Sequence, residues 1–141
     1  MAASAWSGAA LADGADERKT VGGIEFYIGI LPSEMVLGHP KVHTESTMHD
    51  GPSGRSGQYH LVLALFKAAT GERISDAQVT ARVTPLGTAG QEKELQPMAI
   101  GEAPSYGNFF NMPGKGPFRI VIDVRRPGVT GKVEATFEHR H

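Results

Sequence analysis

The chain has 141 residues, the length of one ordinary domain, with 40% hydrophobic residues and a formal net charge of -1. So small a charge argues against nucleic acid as the main partner, because phosphate binding needs a concentrated basic surface. Cysteine is absent, which excludes disulfides, thiolate metal sites and thiol redox chemistry. No apolar run approaches the ~18 residues of a membrane helix, so no membrane span is expected.

Residues 1–22 read as a flexible leader or signal remnant, and residues 23–141 as a single domain. Met1 to Ala12 is small and apolar and ends Ala10-Leu11-Ala12 before Asp13. That ending fits the small-x-small cleavage site of an export signal, although no basic stretch precedes it. The first strand is read at Ile24 to Leu31, where Ile24, Phe26, Ile28 and Ile30 share one face with a period of two. Pro32 ends it. A long loop follows at about 32–57, with a short apolar piece at Met35-Val36-Leu37. Loops of this length in compact domains are usually functional or disordered.

Tyr59 to Lys67 is the central strand, rich in strand-forming residues on both faces. Ala68 to Glu72 is a turn, with Gly71 free to adopt positive φ. Ser75 to Thr84 alternates, with Ala77, Val79, Ala81 and Val83 facing one way. Glu94 to Ile100 is a short strand, and Gly101 to Ser105 a turn. Tyr106 to Met112 carries aromatics on both faces, so pattern alone leaves its inward side open. Pro113 to Pro117 is a strong turn signal. Phe118 to Val124 is the clearest strand, and Lys132 to His139 is the last, with Val133, Ala135 and Phe137 inward. About seven short strands with turn signals between them predict an all-β fold, an immunoglobulin-like antiparallel β-sandwich, with a barrel as the alternative.

With no cysteine, a soft-metal site must draw on the six histidines and five methionines. His60 interrupts the apolar central strand; it is either a ligand or an imidazole held by a neighbour. Met98 and Met112 stand near strand ends beside turns, where a sandwich can gather side chains around an ion. Taken alone, each reads first as an adaptable core filler. Thioether and imidazole together favour copper, as Cu(I) or Cu(II), ahead of zinc or iron. The loop holds a second ligand group, His39, His43, Met48 and His49, which fits none of the tight zinc spacings. His139 and His141 lie on one side of an extended tail, and His139 is a further candidate ligand. Tyr106 and Phe109 stand either behind the site, as an exposed aromatic patch for a partner, or in the core. No paired carboxylates, nucleophile elbow or phosphate loop is present, so no catalytic residue is assigned and nothing in the sequence marks an enzyme.

Tyr59-His60-Leu61-Val62, then Ala68-x-Thr70-Gly71-x-x-Ile74-x-x-Ala77-x-Val79, then Tyr106-Gly107-Asn108 and Pro117-Phe118-x-Ile120 resemble the YtkA-like family over roughly residues 58 to 137. These are small exported bacterial domains with an immunoglobulin-like sandwich, often encoded with metal-handling and respiratory-oxidase assembly proteins. The resemblance implies a periplasmic or exported location and metal delivery rather than catalysis. It implies ligands at a central-strand His and late Met residues, which match His60, Met98 and Met112. The expected function is a copper-binding carrier or chaperone whose partners are the metal ion and a protein that receives it. The alternative is a metal-free sandwich that serves as an interaction or assembly module.

Overall fold

A computed structural model describes residues 17–33, 57–100 and 103–141. The apolar start of the chain, the piece at residues 35–37, Gly101 and Glu102, and the loop ligands His39, His43, Met48 and His49 lie outside the described residues; Ala103 to Ser105, expected in a turn, are strand instead. Among the described residues, eight antiparallel strands form the fold: β1 (Arg18–Val21), β2 (Ile24–Pro32), β3 (Gln58–Lys67), β4 (Gln78–Pro85), β5 (Gln91–Ile100), β6 (Ala103–Asn111), β7 (Phe118–Arg125) and β8 (Val133–His139). Their order is β1-β2-β3-β6-β5-β4-β7-β8.

The all-β expectation holds, but the architecture differs from a seven-strand immunoglobulin-like sandwich. There are eight strands in one continuous, curled sheet. The curl depends on β5. Its first half pairs with β4, from Val83↔Gln91 to Val79↔Leu95. Its second half leaves β4 and pairs with β6, from Gln96↔Gly107 to Ile100↔Ala103. One strand thus belongs to both layers. At the other end of the order, β1 lies against β8: Lys19 Nζ donates to the Thr136 carbonyl and sits 5.5 Å over the Phe137 ring. The sheet is nearly closed on itself, which leaves little open edge.

The interior is built as the period-two pattern dictates. Ile24 and Phe26 from β2 and Leu61, Leu63 and Leu65 from β3 face Val79, Ala81 and Val83 of β4, Ile120 and Ile122 of β7, and Ala135 and Phe137 of β8. Each buried leucine or isoleucine contributes about 1.5–3 kcal/mol relative to exposure. Phe26 and Phe137 meet across the core with ring centroids 6.5 Å apart. Tyr106 joins this core and adds a polar staple: its hydroxyl donates to the Ile74 carbonyl at 3.0 Å and accepts from the Ala77 N–H at 3.0 Å. That staple fixes the irregular segment between β3 and β4 against β6. Burial pushes the Tyr106 phenol pKa up. Tyr106 is therefore a buried structural residue and offers no surface to a partner.

Candidate metal centre

The central strand β3 has two different faces. Its inner face carries the three core leucines. Its outer face carries His60, Val62, Ala64 and Phe66. Cross-strand register then fixes what stands beside His60. His60 is opposite Phe109 on β6, and Val62 is opposite Gly107. Gly107 is in turn opposite Gln96 on β5, and Met98 is opposite Ser105. Residues directly opposite share a face, so His60, Phe109, Gly107, Ser105 and Met98 form one outer patch across β3, β6 and β5. This patch is buried although it is separate from the main core: His60 is 0%, Phe109 3%, and Met98 and Ser105 5% exposed.

The His60 ring stacks on Phe109, with centroids 4.5 Å apart and planes 25° from parallel. The stack fixes the direction in which Nε2 points. That direction is shown by Gly107, where a Cβ would stand 2.7 Å from Met98 Sδ, 2.8 Å from His60 Nε2 and 3.0 Å from the Leu61 carbonyl. The thioether sulfur and the imidazole nitrogen therefore converge on the one position in β6 that has no side chain. Glycine in a strand interior often marks such a close approach. In the sequence Gly107 stands out only within the motif Tyr106-Gly107-Asn108; a glycine in the middle of a strand is the signal that points to this close approach.

The donor pair is neutral and soft on one side, borderline on the other, which suits copper better than hard cations. Among the described residues, no group of three or more His, Asp or Glu side chains gathers to hold an ion. The pair over Gly107 is thus a partial shell. Met112 takes no part in it. It shares strand parity with Phe110 and Tyr106, is 0% exposed and packs in the main core, on the opposite face from His60. Phe109, by contrast, does stand behind His60.

His139 is also on the core side. It forms a second cluster with His141, at one end of the curled sheet. His139 Nε2 and His141 Nδ1 are 3.1 Å apart, and His141 Nε2 is 2.9 Å from the Met112 carbonyl. The His141 ring stacks on Tyr59 at 4.0 Å and 13°, and its main-chain N–H donates to the Lys115 carbonyl at 3.1 Å. Tyr59 packs against the core, whereas the next residue, His60, faces outward. Burial, and then the nearby His141, lower the His139 pKa. The sequence reading grouped His139 with His60; β3 stands between them.

The fold and these two clusters define a small, nearly closed, antiparallel all-β protein with a histidine–methionine pair on its outer face and a histidine pair at one end of its core side. No family model and no curated protein matches the chain. Solved structures do. A copper-bound variant of Campylobacter jejuni P19 superposes with a TM-score of 0.67 at 13% identity, covering 89% of this chain and 93% of that one. A copper-bound variant of FetP from uropathogenic Escherichia coli gives 0.64 at 17% identity, covering 89% and 93%. A DUF4426 family protein from Pseudomonas aeruginosa gives 0.65 at 12% identity, covering 88% and 94%. At these identities the likeness shows a shared fold. These neighbours do not point to the YtkA-like family specifically, so that resemblance does not extend to a family assignment.

Proposed function

We propose that this protein is an exported copper-binding protein that carries one ion on the outer face of β3-β6-β5 and passes it to a partner protein. The observation that carries the reading is the convergence of His60 Nε2 and Met98 Sδ over Gly107. Two neighbours of the same fold, FetP and P19, are known in copper-bound form, and FetP has been produced in a bacterial periplasm. Both lend support to copper and to export.

Chemically, the pair suits a carrier. A thioether stays neutral and soft in mild acid, whereas an imidazole loses affinity as it protonates. Two protein donors leave room for further ligands, for which His39, His43, Met48 and His49 are the candidates in this chain. Open positions also allow a recipient's ligands to enter before the donor's leave. Among the described residues no helix is long and apolar enough to cross a membrane, and the carrier role asks for none. The test is copper titration of tag-free protein. His60→Ala is expected to weaken copper binding at least tenfold while circular dichroism shows the fold intact. An unchanged titration would leave the metal-free interaction module as the better reading.

A further inference from the structure

The second histidine pair has a geometry that the proposed carrier role leaves unused. A carbonyl oxygen only accepts, so the 2.9 Å contact from His141 Nε2 to the Met112 carbonyl places a proton on that nitrogen. Neutral His141 then presents a bare lone pair at Nδ1. That lone pair faces His139 Nε2 at 3.1 Å.

We infer that His139 and His141 form a second metal site, separate from the His60–Met98 pair, which takes a borderline divalent cation of the Cu2+ or Zn2+ type through His139 Nε2 and His141 Nδ1. Metal–imidazole bonds are ~2.0–2.1 Å, so two nitrogens on one ion at angles between square and tetrahedral stand roughly 2.9–3.4 Å apart. The observed spacing of 3.1 Å lies in that range. Metal binding requires that the proton on His139 Nε2 give way, with the ring taking its other neutral tautomer, and that the rings turn so that both lone pairs meet off the line joining the two nitrogens, since an ion ~2.0–2.1 Å from each cannot lie on that line. The surroundings have the form usual for a ligating histidine, whose second ring N–H donates to a backbone carbonyl. The ring of His141 is also held between Tyr59 at 4.0 Å and Phe118 at 4.9 Å. It therefore loses little side-chain freedom on binding. Among the described residues no Asp or Glu side chain gathers with the pair, and a site built on two imidazoles favours a borderline ion over a hard one.

The experiment uses tag-free full-length protein carrying His60→Ala and Met98→Leu, so that the first pair is absent. Titration with Cu2+ is expected to show one bound equivalent, and its paramagnetic resonance spectrum to carry nitrogen hyperfine structure. Adding His139→Gln, which keeps a hydrogen-bond donor, is expected to weaken that binding at least 30-fold. Absence of bound Cu2+ in the double variant, or binding unaffected by His139→Gln, would overturn the inference. A measurement that avoids a third substitution is the histidine Cε1–H proton spectrum of the double variant with Zn2+. The His139 and His141 signals should shift together at one equivalent, and their indifference to zinc would equally overturn it. Equal copper binding by the wild-type and double-variant proteins would instead count against the His60–Met98 reading and leave this site standing.

Discussion

Gly107→Ala tests the outer-face site most directly. Gly107 is not in the left-handed region, so alanine brings no backbone strain there and acts through space alone. Its Cβ would stand 2.7 Å from Met98 Sδ, 2.8 Å from His60 Nε2 and 3.0 Å from the Leu61 carbonyl. Ordinary contacts would be 3.4 Å or more, so several tenths of an ångström must be found on three sides. The Met98 chain can swing aside, but the His60 ring is held on Phe109 and the Leu61 carbonyl belongs to the β3 backbone. Overpacking of this kind costs about 1–3 kcal/mol, partly offset by about 0.4–1 kcal/mol from the stiffer unfolded chain. A net loss of about 1–2 kcal/mol corresponds to a fall in Tm of roughly 3–7 °C for a domain of this size. The donor atoms are also driven apart, while ligand distances must hold to about 0.2 Å, so copper affinity should fall at least tenfold. Thermal melting and competition for Cu(I) with a chromophoric chelator measure the two effects. A variant with wild-type Tm and wild-type copper affinity would show that sulfur and nitrogen do not meet above β6, and the argument for the site would fail.

Met98→Leu conserves volume and should cost less than about 1.5 kcal/mol in a urea melt, yet weaken Cu(I) binding at least tenfold; a leucine variant that binds as well would remove the thioether from the ligand set. Tyr106→Phe leaves the Ile74 carbonyl and the Ala77 N–H without their shared partner, and a loss of about 1–3 kcal/mol is expected in the same melt. His139 has a folded-state pKa below its ordinary value, so the unfolded chain binds the proton more readily. Its contribution to stability is therefore present above about pH 6.5, the ordinary imidazole value, and is lost as the pH falls through the lower folded value. Metal-free protein should lose Tm on acidification, His139→Gln should lose less, and superimposable profiles would refute the assignment.

Much of the sheet was legible because burial writes a period of two. Ile24, Phe26 and Ile28, like Phe118, Ile120, Ile122 and Val124, mark their strands and their inward faces without help from tertiary structure. The strands that escaped are those with little apolar face to show. Arg18–Val21 is RKTV and mostly exposed, so it read as a lead-in. The polar start of β5, Gln91 to Lys93, shows no apolar face for the same reason. Strand β6 was ambiguous because both of its faces are buried, Tyr106 and Phe110 in the core and Phe109 behind His60. The site was legible in part. A histidine within an apolar strand stands out in any sequence. Choosing between Met98 and Met112 required the register of β6 against β3 as well as β5; β3 and β6 are not consecutive in the chain, and no local pattern encodes their pairing. The same gap hid the separation of His139 from His60.

The division of β5 between β4 and β6 also bears on how the molecule comes apart. Neither half of the sheet can peel away without tearing a ladder that the other half depends on, so the layer that carries His60 and Met98 has no private melting step. Occupancy of a site on one layer would then raise the denaturation midpoint of the whole body, and amides on the far layer would slow their exchange with solvent as much as those beside the ion.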